Sequence, residues 1–218
     1  MINTVVFDLD GTLLDTLDDL MDGVNYAMAR QNFKIRTKEE VRTFVGNGIK
    51  VMIERAVPKD ITEKQFNACY NDFCDYYKEH MEDKTHPYDG ILDVLKALKN
   101  EGIKTAIVTN KADFAAQTLC RRIFGESIDL IVGSVENRPN KPAPDGVLYA
   151  LDTLKSSKEN AIFVGDSDVD IKTAHNAKLP SIGVLWGFRD RDVIEEAGAK
   201  YIVNDTKELL ELIISLKK

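Results

Sequence analysis

The chain has 218 residues, 44% hydrophobic and 30% charged, with 36 acidic against 29 basic side chains and a formal net charge of −7. Such a chain can bury a sizeable core, either as one larger domain or as a main domain with an insertion, and its acidic balance argues against a general nucleic-acid binder while leaving room for a local basic pocket for a small anion. Only three cysteines (Cys69, Cys74, Cys120), no apolar run of about 18 residues and a strand pattern directly after MIN argue against a disulfide framework, a zinc site, a membrane span and a signal peptide, so a cytoplasmic protein is expected.

The first apolar run, TVVFDL (4–9), is short and β-branched and predicts a strand. From there to about residue 88 no convincing strand pattern occurs. Helical periods instead occupy LDDLMDGVNYAMARQ (17–31), KEEVRTFV (38–45), GIKVMIERAV (48–57) and EKQFNACYNDFCDYYKEHM (63–81). Beyond residue 88 helices (90–100, 113–124, 144–155, 169–179, 207–218) alternate with strands (104–110, 129–134, 161–166, 181–186, 200–205). This alternation implies an α/β fold, a doubly wound and mostly parallel sheet with right-handed crossovers, most strands being buried on both faces. The expected organisation is an α/β core from residues 1–15 and 88–218, with residues 16–87 as an inserted all-helical domain. No internal repeat or low-complexity tract is visible.

Ligands of such sheets bind beyond the carboxyl ends of the strands, which singles out the residues that finish each apolar run. These are Asp8 and Asp10, Thr109 and Asn110, Ser134, and Gly165 with Asp166, followed by Asp168 and Asp170; Lys141 lies in the intervening NKPAPDG stretch. Carboxylates withdrawn from water repel one another, and a cationic metal would resolve that cost. Side chains two apart on an extended segment point the same way, so Asp8 and Asp10 can approach one ion or substrate, and Gly11 lets the chain turn away. Mg²⁺ takes one or two carboxylates and leaves its other positions to water and substrate phosphate oxygens. A carboxylate can also attack phosphorus, while a second carboxyl protonates the leaving group and then activates water.

Four stretches, DLDGT (8–12), IVTN (107–110), NKPAP (140–144) and VGDSDVD (164–170), resemble in order and separation the four motifs of the haloacid dehalogenase superfamily, and the resemblance spans the chain. It implies a Rossmann-like core with Asp8 as nucleophile and Asp10 as general acid and base. It further implies that Thr109 and the Asn110 backbone hold the phosphoryl group, that Lys141 stabilises its charge, and that Asp8, Asp166 and the Asp10 carbonyl bind Mg²⁺. Asp170 would support the metal waters or Lys141. The helical insertion resembles the small cap that closes over the site in this family. Hydrolytic dehalogenases lack the second aspartate and the metal, and phosphonate-cleaving members replace that aspartate, so Asp10 favours phosphate ester hydrolysis. Mutases of the β-phosphoglucomutase type carry an early cap histidine where this chain has Leu20, which disfavours that activity.

Substrate choice in the family depends largely on the cap. The Gly46-Asn47-Gly48 turn with Arg42 and Lys50 reads either as a receiver of a substrate anion or as an ordinary helix-starting turn with solvated charges. FVGNG (44–48) and GVLWGFRDRDVIEEAGA (183–199) look like the phosphoglycolate phosphatase group, which implies a small phosphorylated carboxylate and 2-phosphoglycolate in particular. Pyrophosphate, nucleoside monophosphates and sugar phosphates are the alternatives, followed by phosphotransfer to another acceptor and by Mg²⁺-dependent binding without turnover. The expected partner is the small phosphorylated substrate alone, with no nucleic acid or membrane, and the expected state is a monomer.

His80, His86 and His175 share no metal-ligand spacing and are expected in surface or helix-packing roles, with a hinge-side role open for His86. Trp186, Phe188 and Arg189 either line the site entrance or pack. Tyr70, Phe73, Tyr76 and Tyr77 recur at helical spacing and read as a cap core, and Asp15, Asp18, Asp19 and Asp22 as a favourable charge run at a helix start.

Overall fold

Runs of valine, isoleucine and phenylalanine form strands here because branched and planar side chains pack well on a pleated surface covered from both sides. The computed structural model describes residues 1–217. In chain order the elements are β1 (Thr4–Phe7), β2 (Leu14–Asp15), α1 (Leu17–Arg30), α2 (Lys38–Phe44), α3 (Ile49–Ala56), α4 (Glu63–His80), β3 (His86–Pro87), α5 (Ile91–Asn100), β4 (Lys104–Ala112), α6 (Asp113–Phe124), β5 (Leu130–Ser134), α7 (Asp145–Thr153), β6 (Ala161–Gly165), α8 (Asp168–Ala177), β7 (Ser181–Val184), α9 (Arg191–Glu196), β8 (Tyr201–Val203) and α10 (Thr206–Lys217). The chain divides into two compact units, one formed by Met1–Leu14 with everything from Pro87 onward, the other by Asp15–His86.

The first unit is a six-stranded sheet in the order β5-β4-β1-β6-β7-β8, with parallel pairing throughout. Phe7 of β1 stands opposite Ile107 of β4 on one side and Val164 of β6 on the other, so the residues that follow these three emerge side by side. Alternation along β1 supplies both faces of the core. Val5 and Phe7 pack with Leu95, Leu98, Leu119, Leu209 and Ile213 from α5, α6 and α10. Val6 packs on the other face with Val147, Leu151 and Ala174 from α7 and α8. This is the doubly wound architecture expected from the alternation of elements, and the Rossmann-like core that the resemblance implies.

The strands differ from their expected bounds mainly at their carboxyl ends. β1 stops at Phe7, β7 at Val184 and β8 at Val203, although the backbone N–H of Asp8 still donates to Val164 of β6 and that of Leu185 to Val203 of β8. β4 instead runs on to Ala112, with a shift of register between Val108 and Ala112. Helix α9 has no counterpart among the expected elements; six residues long with one buried apolar side chain, Ile194, it is too short to announce a period. The two-residue strands β2 and β3 lie where the chain crosses between units, in a region expected to hold none.

The Asp15–His86 unit is helical between those crossings. Threonine side chains start α2 and α4: Thr37 with Glu40, and Thr62 with Gln65, each form a reciprocal capping box. Phe73 and Tyr77 are buried, and a Cβ on Gly23 of α1 would come within 2.8 Å of the Phe73 ring, so that glycine lets α1 and α4 approach closely. Tyr76 stacks between Tyr26 and His80. Of the acidic run at the start of α1, Asp19 behaves differently from a solvated charge. It is buried, and its carboxylate accepts the backbone N–H groups of Lys84 and Thr85 at 2.8–3.1 Å, while Lys84 Nζ reaches Asp22 at 2.6 Å. Asp19→Ala leaves two backbone donors without their acceptor, and the expected loss is about 1–3 kcal/mol, read as a lowered urea midpoint at unchanged slope.

Candidate active site

The path of the chain locates a crevice. From β1 it passes to β4 and β5 on one side and then returns to β6, β7 and β8 on the other, so the sheet reverses direction at the carboxyl end of β1, where open α/β sheets hold ligands. Asp8 follows β1, Thr109 and Asn110 lie near the end of β4, and Asp166 follows β6. Lys141 comes from the loop before α7 and Asp170 from the first turn of α8; all six side chains are buried. Lys141 Nζ stands 2.7 Å from Asp8 Oδ1 and 2.7 Å from Asp170 Oδ1. Oxygens of Asp8, Asp166 and Asp170 all lie within 4.8 Å of one another.

Each group is held from behind. The Asn110 amide exchanges two hydrogen bonds with the backbone of Lys141, accepting from its N–H at 2.8 Å and donating to its carbonyl at 3.1 Å. Asp170 divides its oxygens: one takes Lys141, while the other accepts the Ser167 hydroxyl at 2.6 Å and the Ser167 N–H at 3.0 Å. Asp166 accepts the Thr12 hydroxyl at 3.0 Å and the Phe188 N–H at 2.7 Å, and Trp186 Nε1 donates to the Thr12 carbonyl at 3.0 Å. Glycines make this contact possible. A Cβ on Gly187 would stand 2.3 Å from Asp166 Cβ, and one on Gly11, at φ +90°, would stand 2.4 Å from Asp166 Oδ2. Trp186 and Phe188 therefore pack behind the site: Phe188 is buried, Trp186 lies against the core, and one backbone amide and one indole brace Asp166 and Thr12.

Residues 5–184 match the model of the haloacid dehalogenase-like hydrolase family. The chain belongs to that family. Among the relatives of this haloacid dehalogenase-like hydrolase, "Putative pyrophosphatase PpaX" of Caldanaerobacter subterraneus is 32% identical over 97% of this chain and 94% of its own. A phosphoglycolate phosphatase of Agrobacterium fabrum is 33% identical over 87% and 83% of the two chains. The crystal structure of a predicted phosphoglycolate phosphatase from Haemophilus somnus superposes with a TM-score of 0.91 at 29% identity, covering 97% of each chain.

The acidic cluster of this hydrolase suits a divalent cation. Asp8 Oδ1 is buried and receives no hydrogen bond of acceptable geometry despite the nearby ammonium, so it keeps lone pairs for a ligand. Burial and the Asp170 charge push the Asp8 carboxyl well above its ordinary range against the pull of Lys141. Burial, then Asp170, raises Asp166 to about 7, with the Phe188 amide, Thr12 and Lys141 opposing. For Lys141 burial alone would lower the ammonium, but Asp170 and Asp8 outweigh it and hold the proton more firmly. Three carboxylates thus share one fixed positive charge, and a hard dication would balance the remainder.

The Asp10 side chain stands apart from this cluster. It turns to Lys111, whose Nζ lies 3.0 Å from Asp10 Oδ1, so a metal contact by Asp10 would have to come from its backbone carbonyl. Arg42, Gly46, Asn47, Gly48 and Lys50 belong to the helical unit. There Asn47 accepts a hydrogen bond from Arg55 at 2.9 Å, and Gly48, at φ +87°, precedes α3. His86 is exposed, with Nδ1 2.8 Å from the Lys84 carbonyl, and His80 pairs with Asp83. The sequence reading did not single out Thr12, Lys111, Ser167 or Gly187 for the site. Three of them adjoin a motif and could have been found there: Thr12 closes DLDGT, Lys111 follows IVTN, and Ser167 lies within VGDSDVD.

Gly187→Ala forces its new methyl into Asp166, and the expected result is a loss of divalent-cation affinity of at least about tenfold by calorimetric titration, as is typical when groups supporting a metal ligand are displaced. The raised carboxyls give a second expectation. The Asp166 value is about 7 in the fold against an ordinary 3.8, so its contribution to stability is complete below the lower value and is lost as pH rises through the higher one. A cation that takes the proton's place restores what is lost, so the cation-induced rise in Tm should grow from about pH 5 to about pH 8.

Proposed function

We propose that this phosphoric monoester hydrolase cleaves a small phosphorylated carboxylate, 2-phosphoglycolate, through a phosphoryl group carried transiently on Asp8. The observation that supports this most directly is the division of labour between two carboxylates: Asp8 is held at 2.7 Å by Lys141 within the acidic cluster, while Asp10 is held separately, at 3.0 Å, by Lys111. An Asp8 oxygen attacks phosphorus and the bond to the substrate oxygen breaks. Asp10, protonated at the start, gives its proton to that departing oxygen, then takes one from the water that displaces Asp8 from phosphorus, so inorganic phosphate leaves, the Asp8 carboxylate is freed and Asp10 is protonated again. Thr109 and the Asn110 backbone hold the phosphoryl oxygens, and Lys141 balances their charge. Asp8, Asp166 and the Asp10 carbonyl would hold Mg²⁺, which would supply the further positive charge that lets an anionic nucleophile approach an anionic ester. Asp170 keeps Lys141 in place, and Arg42, the Gly46–Gly48 turn and Lys50 contribute to substrate choice from the helical unit. The reading is that of a cytoplasmic enzyme; the cysteines are free and no described helix is long and apolar enough to cross a membrane.

Pyrophosphate is the second reading, favoured by the name of the Caldanaerobacter relative. Phosphate release from 2-phosphoglycolate, pyrophosphate, sugar phosphates and nucleoside monophosphates, with Mg²⁺ and with EDTA, separates the two. Selective release from 2-phosphoglycolate is expected, with Asp8→Asn inactive and Asp10→Asn lowering kcat at least about 100-fold on an alkyl ester. Equal low rates on every ester, or EDTA-resistant turnover, would overturn the assignment.

A further inference from the structure

Lys111 is the one site cation for which the proposed chemistry has no task. It sits next to Asn110 in the irregular end of β4, its N–H donates to Thr109 Oγ1 at 3.2 Å, and only 4% of its side chain is exposed. Its Nζ donates to Asp10 Oδ1 at 3.0 Å, so the two cations serve different carboxylates: Lys141 stands between Asp8 and Asp170, Lys111 beside Asp10. We propose that Lys111 selects substrates whose leaving group carries negative charge next to the bond that breaks, a carboxylate or a second phosphoryl group. The inference rests on Asp10 addressing the departing oxygen.

The argument is one of reach and screening. An acid delivers its proton across about 2.6–3.2 Å, so a departing oxygen that touches Asp10 Oδ1, the atom that Lys111 also contacts, lies within about 6 Å of the Lys111 ammonium. In 2-phosphoglycolate one methylene separates that oxygen from the carboxylate carbon, and in pyrophosphate the leaving phosphorus bears its charged oxygens directly. Either anion falls within range of a buried ammonium, where salt screens poorly and Coulomb attraction exceeds its value in water. A neutral alcohol of equal size offers the ammonium nothing in return. The two readings left open by the relatives, phosphoglycolate and pyrophosphate, share this property, which makes leaving-group charge the common denominator.

The test compares 2-phosphoglycolate and pyrophosphate with 2-hydroxyethyl phosphate, whose leaving group matches glycolate in size but is neutral, using wild type, Lys111→Met, Lys111→Gln and Lys111→Arg. Wild type should prefer the anionic pair. Lys111→Met and Lys111→Gln should lower kcat/KM for that pair at least about tenfold more than for the neutral ester, mainly through KM, and Lys111→Arg should keep the preference. Wild type also gives a measurement that depends on no variant folding: glycolate should inhibit competitively and ethylene glycol should not. An equal loss on charged and neutral esters, or no wild-type preference, overturns the role of Lys111 and leaves the phosphatase reading standing. No phosphate release from any ester by wild type overturns both.

Discussion

The carboxyl end of this sheet depends on one buried cation. Lys141 stands at 2.7 Å from both Asp8 and Asp170, with Asp166 in the same cluster, and without that positive charge three carboxylates would face one another out of water. The surrounding arrangement is directed at fixing it. Asn110 grips its backbone from the end of β4, Asp170 holds its ammonium from the start of α8, and the order of the strands sets those two elements on opposite sides of β1. The fold therefore contributes position, and the local residues contribute charge. Replacing one partner of such a buried pair costs more than the pair itself is worth, because the other charge is left behind.

A second support comes from an unexpected quarter, the loop after β7. Its Trp186-Gly187-Phe188 stretch offers one indole and one backbone amide to Thr12 and Asp166, and Gly187 lets the loop backbone lie against that carboxylate. A side chain of any size at position 187 would separate the brace from the group it braces. The DLDGT turn is matched to the same contact, since Gly11 also lies close against Asp166 Oδ2.

Much of this was legible in the sequence. The alternation of apolar runs and helical periods from residue 88 onward announced the parallel sheet, and the polar residues ending those runs announced the crevice, because both follow from local periodicity. Lys111 and Thr12 adjoin motifs, but that Lys111 would pair with Asp10 and Phe188 with Asp166 was not legible. Lys111 lies 101 positions from Asp10, and Phe188 lies 22 from Asp166; such pairings arise from strand order and a register shift, which leave no periodic trace. Asp19 does lie in the first turn of α1, as its place in the charge run implied, but its burial was not legible, because only the return of the chain at Lys84 and Thr85 covers it. Helix α9 escaped because six residues with one buried apolar side chain carry no recognisable period.

The two oxygens of Asp170 join events that are usually considered separately. One oxygen fastens the first turn of α8 through Ser167 while the other holds Lys141, so helix fraying and the charge state of the pocket are two readings of a single carboxylate. Whatever draws Lys141 towards an incoming anion loosens its grip on Asp170 and changes the restraint on that helix end. Amide exchange in the opening turn of α8 would thereby report occupancy of the pocket that its own Asp170 helps to line.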